Sequence, residues 1–491
     1  MMAAPHTRLH RARGFGPARW WIGLQLLGLV ALAGGCSDKG EPDGSAALQP
    51  PARVILISID TLRSDRLGCY GYERNTSPQL DALAAEAVLF ETVCAQAAQT
   101  LISHKSLLAG KYPLRLVREA TNADLEMLTS RADARRFVVN TFADLRSAPL
   151  VTELPQQGYR CAAFTDGRWM SRVMRFDQGF DDFNDDGGHL VAILPRVYDW
   201  LGRQRQDGRF FLFVHTYDTH CPYTCREPYN SMFCPDCSQH ISLEGRCGKP
   251  DLMNMTLSAR DLRAISDHYD GGIASADAYL GEFFDRLRDL GIYDDALLIV
   301  TSDHGESLGT HEQIGHGGLY LEQLLVPLIV KLPASWGIAA RRIEQPVALL
   351  DIMPTLCEAC GVAAPPEIDG RSLLPLIRGG EWRREHLIAQ ITYNEGRAAV
   401  TNPVKRAILE PGRWLLIHDA KTPAAELFDL QADPTGLTAA AGDRKKVLQR
   451  LAADLAAYDP GQPRGEFTRP EEADIDEEFR EQLRELGYVE P

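Results

Sequence analysis

Two apolar runs far apart in the chain each break off at an acidic residue: 53–60 (RVILISID) and 296–306 (ALLIVTSDHGE). Both are short, rich in β-branched residues and without polar alternation. That pattern predicts strands buried on both faces of a parallel sheet. Further strand candidates are 159–165, 210–215 and 326–330, and helical periodicity marks 77–86 and 274–290. Strands alternating with helices predict an α/β fold with a mostly parallel or mixed central sheet and helices on both faces. After about residue 395 the pattern changes. Short runs at 397–400, 407–410 and 414–418, joined by Pro/Gly turns, predict a small antiparallel C-terminal α+β subdomain. The division that follows is a main domain at 53–390, a subdomain at 391–458 and a charged tail or docking helix at 459–491.

The chain opens differently. Arg8, Arg11, Arg13 and Arg19 precede an apolar stretch at 20–33, shorter than the about 20 residues of a membrane span. Basic and then apolar regions are the order of a secretory signal peptide. The stretch closes on LAGGC, which resembles a bacterial lipoprotein cleavage box with Cys36 as the lipidated residue. Residues 1–35 then read as a lipoprotein signal peptide and 36–52, polar and rich in Gly and Pro, as a flexible tether. The expectation is an exported protein, lipid-anchored to a bacterial membrane and facing the periplasm, with Ser37 favouring the outer membrane. The alternative is a plain secretory signal with an incidental cysteine.

Composition changes this picture little. A net charge of −15 argues against nucleic-acid partners. Of eleven cysteines, Cys221, Cys225, Cys234, Cys237 and Cys247 crowd one insert, 221–247. Outside the cytoplasm this predicts disulfides ahead of a zinc site made by the first four. Cys357 and Cys360 lie in a helical stretch and read as core residues.

The chemistry gathers at strand ends. In open α/β sheets the carboxyl ends of the strands face the ligand crevice, so Asp60, Asp303 and His304 can meet and hold a divalent metal. A third segment, 99–110 (QTLISHKSLLAG), predicts a helix capped by Ser103 and closed by Gly110. Thr100 sits at its start, where free N–H groups and the helix dipole favour anions. A hydroxyl there, beside a metal, is a candidate nucleophile. A fourth segment places His215, Asp218 and His220 just past an apolar strand, and a fifth is Gly315-His316-Gly317-Gly318.

These segments resemble, in order, the sulfatase branch of the alkaline-phosphatase superfamily: ILISIDTLRSDRLGCYGY, TLISHKSLLAGKYP, FLFVHTYDTHCPY, VTSDHGESLGTHEQIGHGGLYLEQLLVPLIV, VALLDIMPTL and DGRSLLPLIRG. The resemblance implies that Asp60, Thr100, Asp303 and His304 bind one divalent metal, with Thr100 in the nucleophile slot. It implies that His220 contacts the ester or protonates the leaving group. His316 stands where relatives often have a Lys that contacts the transferred group. His104 joins the catalytic set, and His215, Asp218 and Lys105 the substrate-binding set. The substrate class is a small anionic ester, or an anionic glycan or lipid.

Two departures matter. Sulfatases carry Cys or Ser, oxidised to formylglycine, within Cys/Ser-x-Pro-x-Arg. Here the slot holds Thr100, with Ile102 and His104 at the Pro and Arg positions. Thr cannot yield that aldehyde, so no formylglycine is expected. Thr61 replaces an acidic ligand, which suits Zn²⁺ or Mn²⁺ better than Ca²⁺ or Mg²⁺. The expected activity is phosphodiester or phosphonate ester hydrolysis through Thr100. The alternatives are sulfate-ester hydrolysis by an unmodified Thr, phosphotransfer, a weakly active relative that binds anionic glycans or lipids, and a structural or adhesion lipoprotein. Asp218, His220 and His316 could hold a second metal; one is favoured.

Overall fold

The computed structural model describes residues 48–116, 149–234, 257–391, 405–419, 425–440 and 444–458. The central sheet has eight strands: β1 (Arg53–Ile59), β2 (Val88–Phe90), β3 (Tyr159–Phe164), β4 (Asp182–Asn184), β5 (Arg209–Thr216), β6 (Ala296–Thr301), β7 (Leu328–Lys331) and β8 (Arg341–Ile343). Their order is β8-β2-β7-β6-β1-β5-β3-β4. Only β7 runs against its neighbours; every other pairing is parallel. The register sets Ser58 of β1 beside His215 of β5 and Thr301 of β6. The three strands therefore end at one level, and Asp60, Tyr217 and Asp303 follow together.

The continuous apolar runs bury both faces. Val54 and Leu56 enter one core, while Ile55, Ile57 and Ile59 enter the other. Six helices matter for the site: α1 (Pro78–Ala85), α2 (Thr100–Ala109), α3 (His189–Leu201), α4 (Ala259–Asp289), α5 (Ile352–Cys360) and α6 (Lys445–Ala457). The first core is covered by α2 and α5, the second by α1, α3 and α4. The predicted helix 274–290 is the second half of α4, whose start is fixed by a capping box of Ser258 and Asp261. Gly271 and Gly272 hide the first half from a periodicity reading. A Cβ at Gly271 would stand 2.4 Å from the Tyr229 carbonyl oxygen, and one at Gly272 2.9 Å from that of Asp218. The two glycines let α4 press against the segment that follows β5.

Helix α2 begins three residues before the expected cap. Gln99 is its N-cap, and Gly110 closes it at φ 65°. Ser103 lies inside the first turn, where its hydroxyl donates to the Asp303 carbonyl at 2.6 Å. Every residue of α2 is buried, which a helix needs when it passes through the middle of a domain.

The small antiparallel sheet is β9 (Leu387–Ile391), β10 (Lys405–Glu410), β11 (Trp414–Asp419) and β12 (Ala425–Asp429), paired in chain order. It begins at Leu387, just before the expected boundary at 391. Leu451 and Leu455 of α6 pack on it, together with Leu319, Leu324 and Leu350 of the main body. All described residues accordingly belong to one unit that opens at Leu48.

Cys225 is a free thiol, and Cys221 and Cys234 are disulfide-bonded, which leaves no four-thiolate set for zinc there. Cys357 and Cys360 are buried free thiols. No helix among the described residues is long and apolar enough to cross a membrane. The signal segment, Cys36, most of the tether, Cys237, Cys247, the strand expected at 397–400 and the tail lie outside the described residues.

Candidate active site

Asp60 follows β1 directly, and Asp303 and His304 follow β6. Their ligand atoms lie within 4.8 Å of one another, and all three side chains are buried. Thr61 takes a left-handed φ of 59°, and its N–H donates to Asp303 Oδ1 at 3.3 Å. That strained turn ties the two strand ends together. Thr100, first in α2, sets Oγ1 3.5 Å from His304 Nε2, and its hydroxyl is among the groups that temper the rise of the Asp60 pKa.

The donor set fits a cation. Asp60 Oδ1 and Asp303 Oδ2 are buried and accept no hydrogen bond. Burial, then the Asp303 charge, push the Asp60 carboxyl well above its ordinary range. A bound cation would relieve both effects. His304 Nδ1 lies 2.9 Å from the Gly305 carbonyl. A carbonyl only accepts, so Nδ1 carries the proton and Nε2 presents a lone pair to the carboxylates.

Imidazole and phenol rings surround this cluster. His215 Nε2 is 3.5 Å from Asp60 Oδ2. The His215 ring meets Tyr217 at 4.7 Å, Tyr217 meets His220 at 5.3 Å, His220 meets His316 at 5.1 Å and His316 meets His304 at 4.5 Å. His316 Nδ1 is held by Glu306 Oε2 at 3.3 Å. His220 Nδ1 donates to the Cys221 carbonyl at 2.6 Å, and its Nε2 has no partner. Burial, then the neighbouring His316, hold His220 well below the ordinary histidine range. It is therefore a neutral ring with an open lone pair, an acceptor before it is a donor.

Of the other predicted residues, His104 packs edge-on against His215 at 5.0 Å, while Lys105 and Asp218 stand apart from the ring. His104 bonds the Thr100 carbonyl through Nδ1 and Ser58 through Nε2, each at 2.9 Å, and burial lowers its pKa to about 4. It positions the turn that carries Thr100 and does not reach over the nucleophile. Lys105 is buried, with its ammonium 5.7 Å from the centre of the Phe176 ring. Asp218 turns away: its Oδ2 accepts from the Leu190 N–H at 2.9 Å, at the start of α3.

Arg168 was not anticipated. It follows β3 at a left-handed φ of 56°. Its guanidinium lies 5.3 Å over the Tyr217 ring, and its charge contributes to holding His215 and His220 neutral. The available signal was a cation just past a predicted strand, as at the other strand ends.

Residues 52–362 match the family described as Sulfatase, and residues 309–461 match the N-sulphoglucosamine sulphohydrolase C-terminal family. The multifunctional alkaline phosphatase superfamily protein PehA of Trinickia caryophylli is 31% identical over 273 residues, which is 48% of this chain and 53% of that protein. The match thus spans about half the length of that relative. An arylsulfatase of Clostridium perfringens is 22% identical over 437 residues, 78% of this chain and 89% of the relative. The crystal structure of a phosphonate monoester hydrolase of Agrobacterium radiobacter superposes with a TM-score of 0.64 at 23% identity, over 83% of this chain and 95% of that one.

Proposed function

This chain belongs to the sulfatase family, and from that premise we propose that it is a metal-dependent hydrolase of anionic esters that favours phosphodiester or phosphonate esters over sulfate esters. The observation that carries this reading is the nucleophile slot. A plain threonine hydroxyl, 3.5 Å from His304 Nε2, opens a buried helix beside two unpartnered carboxylate oxygens.

Asp60, Asp303 and His304, with Thr100 as a further ligand, would hold one divalent cation, Zn²⁺ or Mn²⁺ ahead of Ca²⁺ or Mg²⁺. When bound, it would lower the hydroxyl pKa and offset charge on the ester oxygens. Thr100 Oγ attacks phosphorus in line and gives its proton to solvent, while the ester P–O bond opposite it breaks and the departing alkoxide takes a proton from water. The N-terminus of α2 faces the charge that develops on the ester oxygens. Water then attacks the phospho-threonine and restores the hydroxyl. The open Nε2 of His220 is suited to take the proton of that water. Sulfate on a plain Thr would lack the second hydroxyl through which a formylglycine hydrate expels it. The names of two relatives, multifunctional and phosphonate monoester hydrolase, agree with phosphorus chemistry.

The arylsulfatase relative supports a second reading, sulfate-ester hydrolysis at the same Thr. Metal-loaded protein assayed on matched nitrophenyl phosphodiester, phenylphosphonate, phosphomonoester and sulfate substrates separates the two. We expect the phosphodiester or phosphonate to be fastest. Thr100→Ala should lower turnover by at least about 10³-fold, and Thr100→Ser should keep part of it. Faster sulfate turnover, or a fully active Thr100→Ala protein, overturns the proposal.

A further inference from the structure

The ring of side chains around the acidic cluster contains a hydroxyl that no group among the described residues engages. Tyr217 is the first residue past β5 and is 1% exposed. Its hydroxyl is buried without a hydrogen-bond partner. Buried hydroxyls are seldom left so. The rest of the side chain is fixed on three sides. His215 and His220 pack edge-on at 4.7 and 5.3 Å, with interplanar angles of 87° and 81°. The Arg168 guanidinium lies 5.3 Å over the ring.

We infer that the Tyr217 hydroxyl is a substrate-contacting donor that hydrogen-bonds an oxygen of the bound anionic ester, an assignment that rests on the hydrolase reading above. A phenol ordinarily titrates at about 10, so the hydroxyl is a neutral O–H at neutral pH. It cannot add charge to the site; it can only donate or accept. The acceptor that completes it must bring its own oxygen. A tetrahedral anionic ester does so, and Arg168, on the same ring, supplies attraction for the charge. A donor held in place before the ligand arrives needs no rearrangement during reaction, which is the arrangement that stabilises developing negative charge. The hydroxyl is a cost to the empty fold and a gain only once it is occupied. It belongs to the same turn as His220, so one short segment, 215–220, supplies both a proton acceptor and a fixed donor.

The test is Tyr217→Phe in the full chain, which removes the oxygen and keeps the ring. Three measurements on zinc-loaded protein are combined: orthovanadate affinity by calorimetry, phosphodiester turnover, and thermal midpoint. The expected result is an orthovanadate Kd raised about tenfold, turnover reduced between about tenfold and a hundredfold, and a midpoint equal to or above that of the parent. The zinc content should be unchanged. Parent-like orthovanadate affinity and turnover overturn the assignment of Tyr217 while leaving the hydrolase reading intact. A lowered midpoint also overturns it, because the hydroxyl would then be serving the fold through an ordered water. A parent protein that neither binds orthovanadate nor cleaves any ester defeats the hydrolase reading, and the Tyr217 assignment with it.

Discussion

At the scale of single residues, Asp303 carries more than one task. Its Oδ1 accepts from the N–H groups of Thr61 and His304 at 3.3 and 2.9 Å, while Oδ2 accepts no hydrogen bond. One oxygen therefore shapes the turn and the other is left for the cation. Asp303→Ala should lose the metal and all turnover. It should also cost stability, since two buried N–H groups would go unpaired at about 1–3 kcal/mol each. Asp303→Asn keeps an acceptor and removes the charge facing Asp60. Its metal-free form should melt no lower than the metal-free parent, yet gain less on adding Zn²⁺. Metal analysis and thermal melts with and without chelator check both; a variant that binds Zn²⁺ as the parent does would rule out this role. Asp60, Thr100, Asp303 and His304 were legible in the sequence because each ends a strand or opens a helix. For Asp218 and Lys105 the sequence gives a place but not a side-chain direction: Asp218 accepts from the Leu190 N–H and Lys105 lies over Phe176. Arg168 went unseen for the opposite reason: it lies past a recognised strand, but in a turn whose left-handed backbone leaves no local pattern.

At the scale of elements, α3 shows what Asp218 does. The helix follows Gly188, which has no side chain to cap it. Two carboxylates from other strand ends take over. Asp166 Oδ1 accepts from Gly188 and His189 N–H groups at 2.8 and 3.1 Å, and Asp218 accepts from Leu190. Asp218→Ala should therefore cost about 1 kcal/mol of stability and reduce turnover far less than His220→Ala, as urea titration and steady-state rates would reveal. The same helix start holds His189, whose Nδ1 is 3.1 Å from Asp166 Oδ2. Against partial desolvation, pairing with the Asp166 carboxylate raises the His189 pKa to about 9 from the 6.5 of a free histidine. Since the folded value is the higher one, the pair stabilises fully below 6.5 and is lost as pH rises through about 9. The His189 side chain is 43% exposed, so solvent screening holds the contribution to about 1 kcal/mol. His189→Gln should be destabilised relative to the parent at pH near 6 and nearly matched to it above pH 10. A gap that widens with pH would reverse the assignment. The mostly parallel course of the central sheet was legible, but the reversal of one strand was not. The run that became β7 looks like any other doubly buried strand, and nothing in it marks its antiparallel course.

At the scale of the whole molecule, the C-terminal sheet is part of the catalytic body. His311 stacks on Tyr320 at 3.7 Å, and its Nε2 bonds the Gly436 carbonyl at 3.0 Å. The loop that carries Glu306 and His316 is thereby anchored to the segment after β12. The alternation of strands and helices announced the central sheet, but nothing in a pattern of short strands states what they pack against. The remaining question at this scale is how the protein is held in the cell. We propose attachment through a diacylglyceryl group on Cys36. The segment ahead of it contains Arg8, Arg11, Arg13 and Arg19 and no acidic residue, so its removal leaves a chain more acidic than −15. Such a surface is repelled by anionic lipid headgroups and offers no electrostatic hold on a membrane. Retention must then come from acyl chains, whose grip is hydrophobic and indifferent to salt. In a bacterial exporting host the full-length protein should stay with the membrane fraction through a high-salt wash and be released by detergent. Mass spectrometry should find Cys36 as the modified first residue. Cys36→Ala should appear in the soluble fraction or remain unprocessed with its leader attached. Release of the parent by salt alone, or a mature protein beginning elsewhere without lipid, would count against lipidation, since neither outcome is compatible with an acyl anchor at Cys36.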